Sequence, residues 1–164
     1  MPQQYDKYEE FISSLVKNIK ESGRVIRDLG FGRRNKLRGI SGQCHQIDVS
    51  FIDESFPNPT LVLIECKRCT GNVAPSVPKI LKYNAGDITS NPKYPADAKM
   101  IITTTSAFSS GARRIAEYEK ICIQTVNHGP PFGFSYESLI QVFMADRAKV
   151  SDGSNLEIVP KRRK

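Results

Sequence analysis

The stretch from residue 99 to residue 126 constrains the fold most. KMIITTT (99–105) is a run of apolar and branched residues of strand length. SSGARRIAEYEK (109–120) opens on a Ser suited to an N-cap and reads as a helix, and ICIQTV (121–126) is a second strand. Strand, helix and strand joined by short connections imply an α/β layer, which excludes coiled-coil and collagen-like architectures. With 164 residues and 39% apolar content, the chain can pack one core but hardly two. A single domain is therefore expected over 1–150, followed by a polar, basic tail over 151–164 that is expected to be flexible.

The remaining segments fall into place around this unit. Over 5–22, Tyr5, Tyr8, Ile12, Leu15, Val16 and Ile19 recur at helical spacing on one side of a wheel, and Gly23 ends the helix. RVIRDLGF (24–31) reads as a short strand or edge segment. GRRNKLRGISG (32–42) has four basic residues, three glycines and little apolar content, and reads as a basic loop. Residues 45–52 and 60–67 read as strands. In the first, Ile47, Val49 and Phe51 alternate with Gln46, Asp48 and Ser50. The connector DESFPNP (53–59) carries two prolines and an Asn, which cannot continue a sheet, so a hairpin joins the two strands. Ile80, Leu81 and Tyr83 give weak helical periodicity over 77–87. GPPFG (129–133) is a turn, and a helix follows over 136–149 with Leu139, Ile140, Phe143 and Met144 inward.

The net charge is +7, of which the terminal KRRK supplies four charges. A mildly basic body suits a polyanionic partner, because each phosphate neutralised releases counterions. No apolar run approaches the roughly 20 residues that span a bilayer, and MPQQYDKYEE lacks the basic-then-apolar order of a signal peptide. A cytoplasmic protein without membrane contact is expected. In such a compartment Cys44, Cys66, Cys69 and Cys122 read as free thiols. Cys66 and Cys69 have a C-x-x-C spacing, but no paired His motif follows to complete a zinc site.

The chemistry concentrates at the end of the 60–67 strand. Glu65 and Lys67 are two residues apart, so both project from one face. A hairpin centred between residues 56 and 57 opposes 52 with 61, 50 with 63 and 48 with 65. Asp48 then faces Glu65 with Cβ atoms about 5 Å apart. Two carboxylates this close repel unless a positive charge sits between them, and a hard divalent cation such as Mg²⁺ or Mn²⁺ is held by one or two carboxylates plus water and phosphate. Lys67 beside them is placed to orient or deprotonate an attacking water, or to stabilise a pentavalent phosphate. A further carboxylate is available from the opening helix. At 100° per residue, Glu9 lies about 80° from the centre of the apolar stripe and Glu10 about 180°, which favours Glu9.

Tyr8-Glu9, GQCHQIDV (42–49) and IECKR (64–68), followed by IITT and FSSGARRIAEYEKICIQTV, together resemble the PD-(D/E)xK nuclease superfamily, in particular its Mrr-like and archaeal Holliday-junction-resolvase-like members. The resemblance spans roughly residues 5–126. It implies a restriction-endonuclease-like α/β fold, in which a mixed central β-sheet is flanked by helices in three α/β/α layers. It also implies Mg²⁺-dependent hydrolysis of DNA phosphodiesters. Asp48, Glu65 and Glu9 would then bind metal, and Lys67 would activate or position the water. No Pro precedes Asp48, and Gln46 stands where some relatives carry an acidic residue, so Gln46 is expected to be a polar accessory. His45 is expected to be a hydrogen-bonded structural residue and not part of the catalytic set. Arg33, Arg34, Lys36 and Arg38 in the glycine-containing loop, with Arg68 beside the site, are the expected DNA-phosphate contacts.

One site per chain facing two DNA strands makes a homodimer the natural cutting unit. The competing expectation is a catalytically silent DNA-binding module of the same fold, acting as a subunit of a larger DNA-processing complex.

Overall fold

A computed structural model describes residues 3–68, 70–126, 133–144 and 156–157. Helix α1 (Gln3–Glu21) leads into strands β1 (Ile26–Phe31), β2 (Lys36–Arg38), β3 (Cys44–Gln46), β4 (Val49–Asp53) and β5 (Thr60–Lys67). Then come α2 (Ser76–Thr89), β6 (Ala98–Thr104), α3 (Ser110–Glu119), β7 (Cys122–Thr125), α4 (Tyr136–Met144) and β8 (Leu156–Glu157). Among the described residues, six strands form one sheet in the order β1-β4-β5-β6-β7-β8, and β2 and β3 form a separate ribbon. The first three strands pair antiparallel, β5, β6 and β7 run parallel, and β8 returns antiparallel. The fold is α/β with a mixed sheet and flanking helices, as expected.

The sheet is covered on both faces, which explains why its central strands read as apolar runs. One face carries Val49, Phe51, Val62, Ile64 and Ile101 against Phe11, Ile12, Leu15, Val16 and Ile19 of α1 and Tyr136, Leu139 and Ile140 of α4. The other carries Ile52, Leu61, Leu63, Met100 and Ile102 against Leu81, Ala85 and Ile88 of α2 and Ala112 and Ala116 of α3. Fully burying each Ile or Leu contributes about 1.5–3 kcal/mol. The α3 start matches expectation: the Ser109 side chain caps it by accepting from the Ala112 amide at 3.0 Å. At its end Lys120 adopts a left-handed φ of 55°.

Several expectations need correction. The segment 32–42 is not wholly a loop: Lys36–Arg38 pairs with Cys44–Gln46, burying Leu37 and His45 and exposing Lys36, Arg38, Cys44 and Gln46. The segment 45–52 is not one continuous strand. It breaks between β3 and β4, so Ile47 packs on the α2/α3 side whereas Val49 and Phe51 pack on the α1/α4 side. The buried stripe of α2 is Pro78, Leu81, Ala85 and Ile88, while Ile80 and Tyr83 are exposed. Phe11, absent from the predicted stripe of α1, is fully buried. The GPPFG turn, apart from Gly133, and the last residues of the predicted 136–149 helix lie outside the described residues.

Asp53, assigned from sequence to the connector, instead closes β4 and is fully buried. Its carboxylate accepts from Arg24 Nε at 2.8 Å, the Tyr136 hydroxyl at 2.6 Å and the Ser55 amide at 2.8 Å. Burial alone would raise its pKa. The bonds from Tyr136, Ser55 and Arg24 outweigh that cost and hold it below the ordinary carboxylate value. This cluster ties α4 and the residues before β1 to one end of the sheet.

Candidate active site

Strand β5 begins in the core and ends at the margin of the sheet. Leu61 to Ile64 are buried, Glu65 and Lys67 are half-buried, and Cys66 between them faces the α1 side. The β4–β5 register is Val49 with Ile64, Ser50 with Leu63 and Ile52 with Leu61, as the predicted hairpin centre requires. Asp48 lies one step beyond Val49 and therefore stands across from Glu65. The backbone fixes it there: the Asp48 carbonyl accepts from the Gly32 amide at 2.8 Å, and the preceding Ile47 amide donates to the Asn35 carbonyl at 3.1 Å.

The buried Asp48 carboxylate is held by three donors. Oδ1 accepts from the Tyr8 hydroxyl and from Gln46 Nε2 at 3.1 Å, and Oδ2 accepts from the Cys66 amide at 2.7 Å. Lys67 Nζ lies 2.7 Å from Glu65 Oε1. Burial, then the charge of Asp48, raises the Glu65 pKa above its ordinary value, with Lys67 opposing both. Burial works against the Lys67 ammonium, but the charge and hydrogen bond of Glu65, together with Asp48, more than offset it and raise its pKa. Lys67 is thus a cation at neutral pH. Burial and the Asp48 bond push the Tyr8 phenol up, so it remains a donor. Burial and the adjacent carboxylates likewise keep Cys66 a thiol.

The structure therefore brings Asp48, Glu65 and Lys67 together. From α1 it delivers Tyr8, whereas Glu9 and Glu10 are exposed. Tyr8 counted only as an apolar stripe residue in the helical periodicity, and nothing in the spacing showed that its hydroxyl would reach Asp48. Gln46 is a polar accessory to Asp48, as expected. His45 is buried with Nε2 2.6 Å from Asp87 Oδ2, a structural contact to α2. Arg33, Arg34, Lys36 and Arg38 are exposed, and the Arg33 guanidinium lies 5.6 Å from the Tyr8 ring centroid. Arg68 is half-buried, and its Nη1 atom is buried without a hydrogen-bond partner. Cys44, Cys66 and Cys122 are free thiols. Among the described residues no three His, Cys, Asp or Glu side chains converge as a metal-binding group, and no helix is long and apolar enough to cross a membrane.

No family model matches the chain, and no curated protein matches it in sequence. Two solved structures are similar to it in part or over most of its length. A crystal structure of a protein of unknown function, AF1548, is 13% identical over 90% of this chain and 80% of that one, with a TM-score of 0.52. The MspJI restriction endonuclease, solved in complex with a 27-mer oligonucleotide, is 13% identical with a TM-score of 0.42, covering 72% of this chain and 25% of that one. At this identity the likeness to AF1548 is one of fold alone: a mixed sheet with flanking helices.

Proposed function

We propose that the protein is a metal-dependent endodeoxyribonuclease of the PD-(D/E)xK kind. The observation that carries this reading is the convergence of Asp48, Glu65 and Lys67 at the C-terminal end of β5, where the antiparallel and parallel halves of the sheet meet. Ligand sites in open α/β sheets lie outside the carboxyl ends of the strands.

The donor chemistry fits Mg²⁺ or Mn²⁺. Asp48 and Glu65 are two oxygen donors, burial and then the charge of Asp48 raising the Glu65 pKa, and small hard cations are commonly held by one or two carboxylates, with water and substrate phosphate completing the shell. When bound, the cation would neutralise phosphate charge and acidify a coordinated water. In the reaction a water oxygen bonds to phosphorus in line with the leaving oxygen, the P–O bond on the opposite side breaks, the water proton passes to solvent and the leaving oxygen takes a proton from solvent. Lys67, 2.7 Å from Glu65, is placed to orient or activate the attacking water or to stabilise the charge on the phosphate. Arg33, Arg34, Lys36, Arg38 and Arg68 supply the basic surroundings for the DNA backbone, and two copies of the chain would present one site to each strand.

A second reading, a DNA-binding module without turnover, is favoured by two specific observations. Glu9 is exposed, and among the described residues no third carboxylate joins Asp48 and Glu65.

Cleavage of supercoiled plasmid, linear duplex, single strand, flap and four-way junction, with Mg²⁺, Mn²⁺ or chelator, separates the two. The nuclease cuts at least one substrate only with metal, and Asp48→Ala abolishes cutting. A module without turnover cuts none and binds DNA equally well in chelator and after Asp48→Ala.

A further inference from the structure

Two of the three donors to the Asp48 carboxylate come from elements that also carry or contact the basic residues. Gln46 is on β3, where it pairs with Lys36 of β2. Tyr8 reaches Asp48 with its hydroxyl while its ring lies under the Arg33 guanidinium. Arg33 is exposed, one residue past Gly32, whose amide binds the Asp48 carbonyl. The main-chain and side-chain oxygens of Asp48 are therefore both tied to the segment that holds Arg33.

We propose that Tyr8 is a positioning residue that fixes Asp48 for a divalent cation, and that Arg33, stacked on its ring, couples this hold to contact with a DNA phosphate. The inference rests on the nuclease reading and assigns it a substrate-linked control. A phenol donating to Oδ1 limits rotation of the carboxylate, and Oδ2, with its single donor, is the freer oxygen for a cation. Outer partners of this kind typically tune metal affinity about tenfold to a hundredfold. An Arg drawn towards a phosphate shifts over the ring it stacks on, so DNA engagement reaches Asp48 through Tyr8, without any direct contact between DNA and the carboxylate.

Tyr8→Phe and Arg33→Gln separate the two halves of the proposal. The first keeps the ring and loses the hydroxyl, and the second keeps the hydroxyl bond and loses the cation. Mn²⁺ binding is measured calorimetrically on the full chain, alone and with a duplex carrying non-hydrolysable linkages, with Asp48→Asn as control. Wild type is expected to bind Mn²⁺ more tightly when DNA is present. Tyr8→Phe should weaken Mn²⁺ binding about tenfold without DNA and leave DNA binding in chelator unchanged. Arg33→Gln should leave Mn²⁺ binding without DNA unchanged and lose the DNA-induced tightening.

Wild-type Mn²⁺ affinity in Tyr8→Phe overturns the positioning role, and retained tightening in Arg33→Gln overturns the coupling. If wild type binds no Mn²⁺, or Asp48→Asn binds it equally well, the nuclease reading fails first and the inference with it.

Discussion

Asp53 and Asp48 show how differently one residue type can be used. Asp53 is sealed in the core and neutralised by Arg24, so its role is structural. Replacing Arg24 with Met leaves a buried carboxylate short of its cation, and such losses cost about 3–5 kcal/mol. The expected outcome is a fall of that size in the free energy of unfolding, read from urea titrations. A change under about 1 kcal/mol would mean that Tyr136 and Ser55 suffice to hold the charge. The pairing of Asp48 with Glu65 was visible in the sequence because a hairpin register is arithmetic once the turn is centred. The donors to Asp48 were not. Tyr8 lies 40 residues away in sequence, and helical periodicity counts a tyrosine as apolar without registering its hydroxyl. The same limit applies to Asp53, whose burial depends on Tyr136, 83 residues away.

Among the elements, the β2–β3 ribbon departs most from its sequence reading. Its strands have three residues each, too short for any periodicity to emerge among arginines and glycines. Contacts to α2 hold it in place. Asp87 accepts from the Ser41 hydroxyl at 2.7 Å and the Ser41 amide at 3.0 Å, and meets His45 at 2.6 Å, while its carbonyl accepts from the Ile40 amide at 3.0 Å. Asn91 adds a bond to the Arg38 carbonyl at 2.9 Å.

Gly39 is required by space: a Cβ there would lie 1.8 Å from Asp87 Oδ2. Gly39→Ala should therefore displace the clamp and raise amide exchange across 36–46 while the central sheet stays protected; unchanged exchange would refute the clamp. The bonds from His45 and Ser41 pull the Asp87 pKa down from 3.8 to about 2. Because the folded pKa is depressed, the stabilisation is fully present above the ordinary carboxylate value and is lost as pH falls through the folded one. The urea midpoints of wild type and Asp87→Asn should thus differ near neutrality and converge as pH drops from about 4 towards about 2. A constant difference across that range would contradict the hold of His45 and Ser41 on the Asp87 carboxylate.

For the whole molecule, the α/β alternation gave the class, because burial on both faces of a parallel sheet leaves a run of branched residues that periodicity rules detect, whereas the layers came only as what the family resemblance implied. Strand β5 was assigned over 60–67 and is found there, since its apolar run and charged end mark both boundaries. The order of the sheet and the facing of each helix follow from packing between distant segments, which one sequence does not spell out. That order places the end of β5 beside the start of β4, which is what makes a single site from Asp48, Glu65 and Lys67.

The most direct test of that site is plasmid nicking by wild type and Lys67→Ala across a Mg²⁺ titration, with DNA binding measured in parallel. The expected result is saturable, Mg²⁺-dependent nicking by wild type and a loss of at least about a hundredfold in Lys67→Ala, with DNA binding retained. Nicking by Lys67→Ala at the wild-type rate, or nicking by wild type that persists in chelator, would contradict a metal-dependent nuclease centred on these residues.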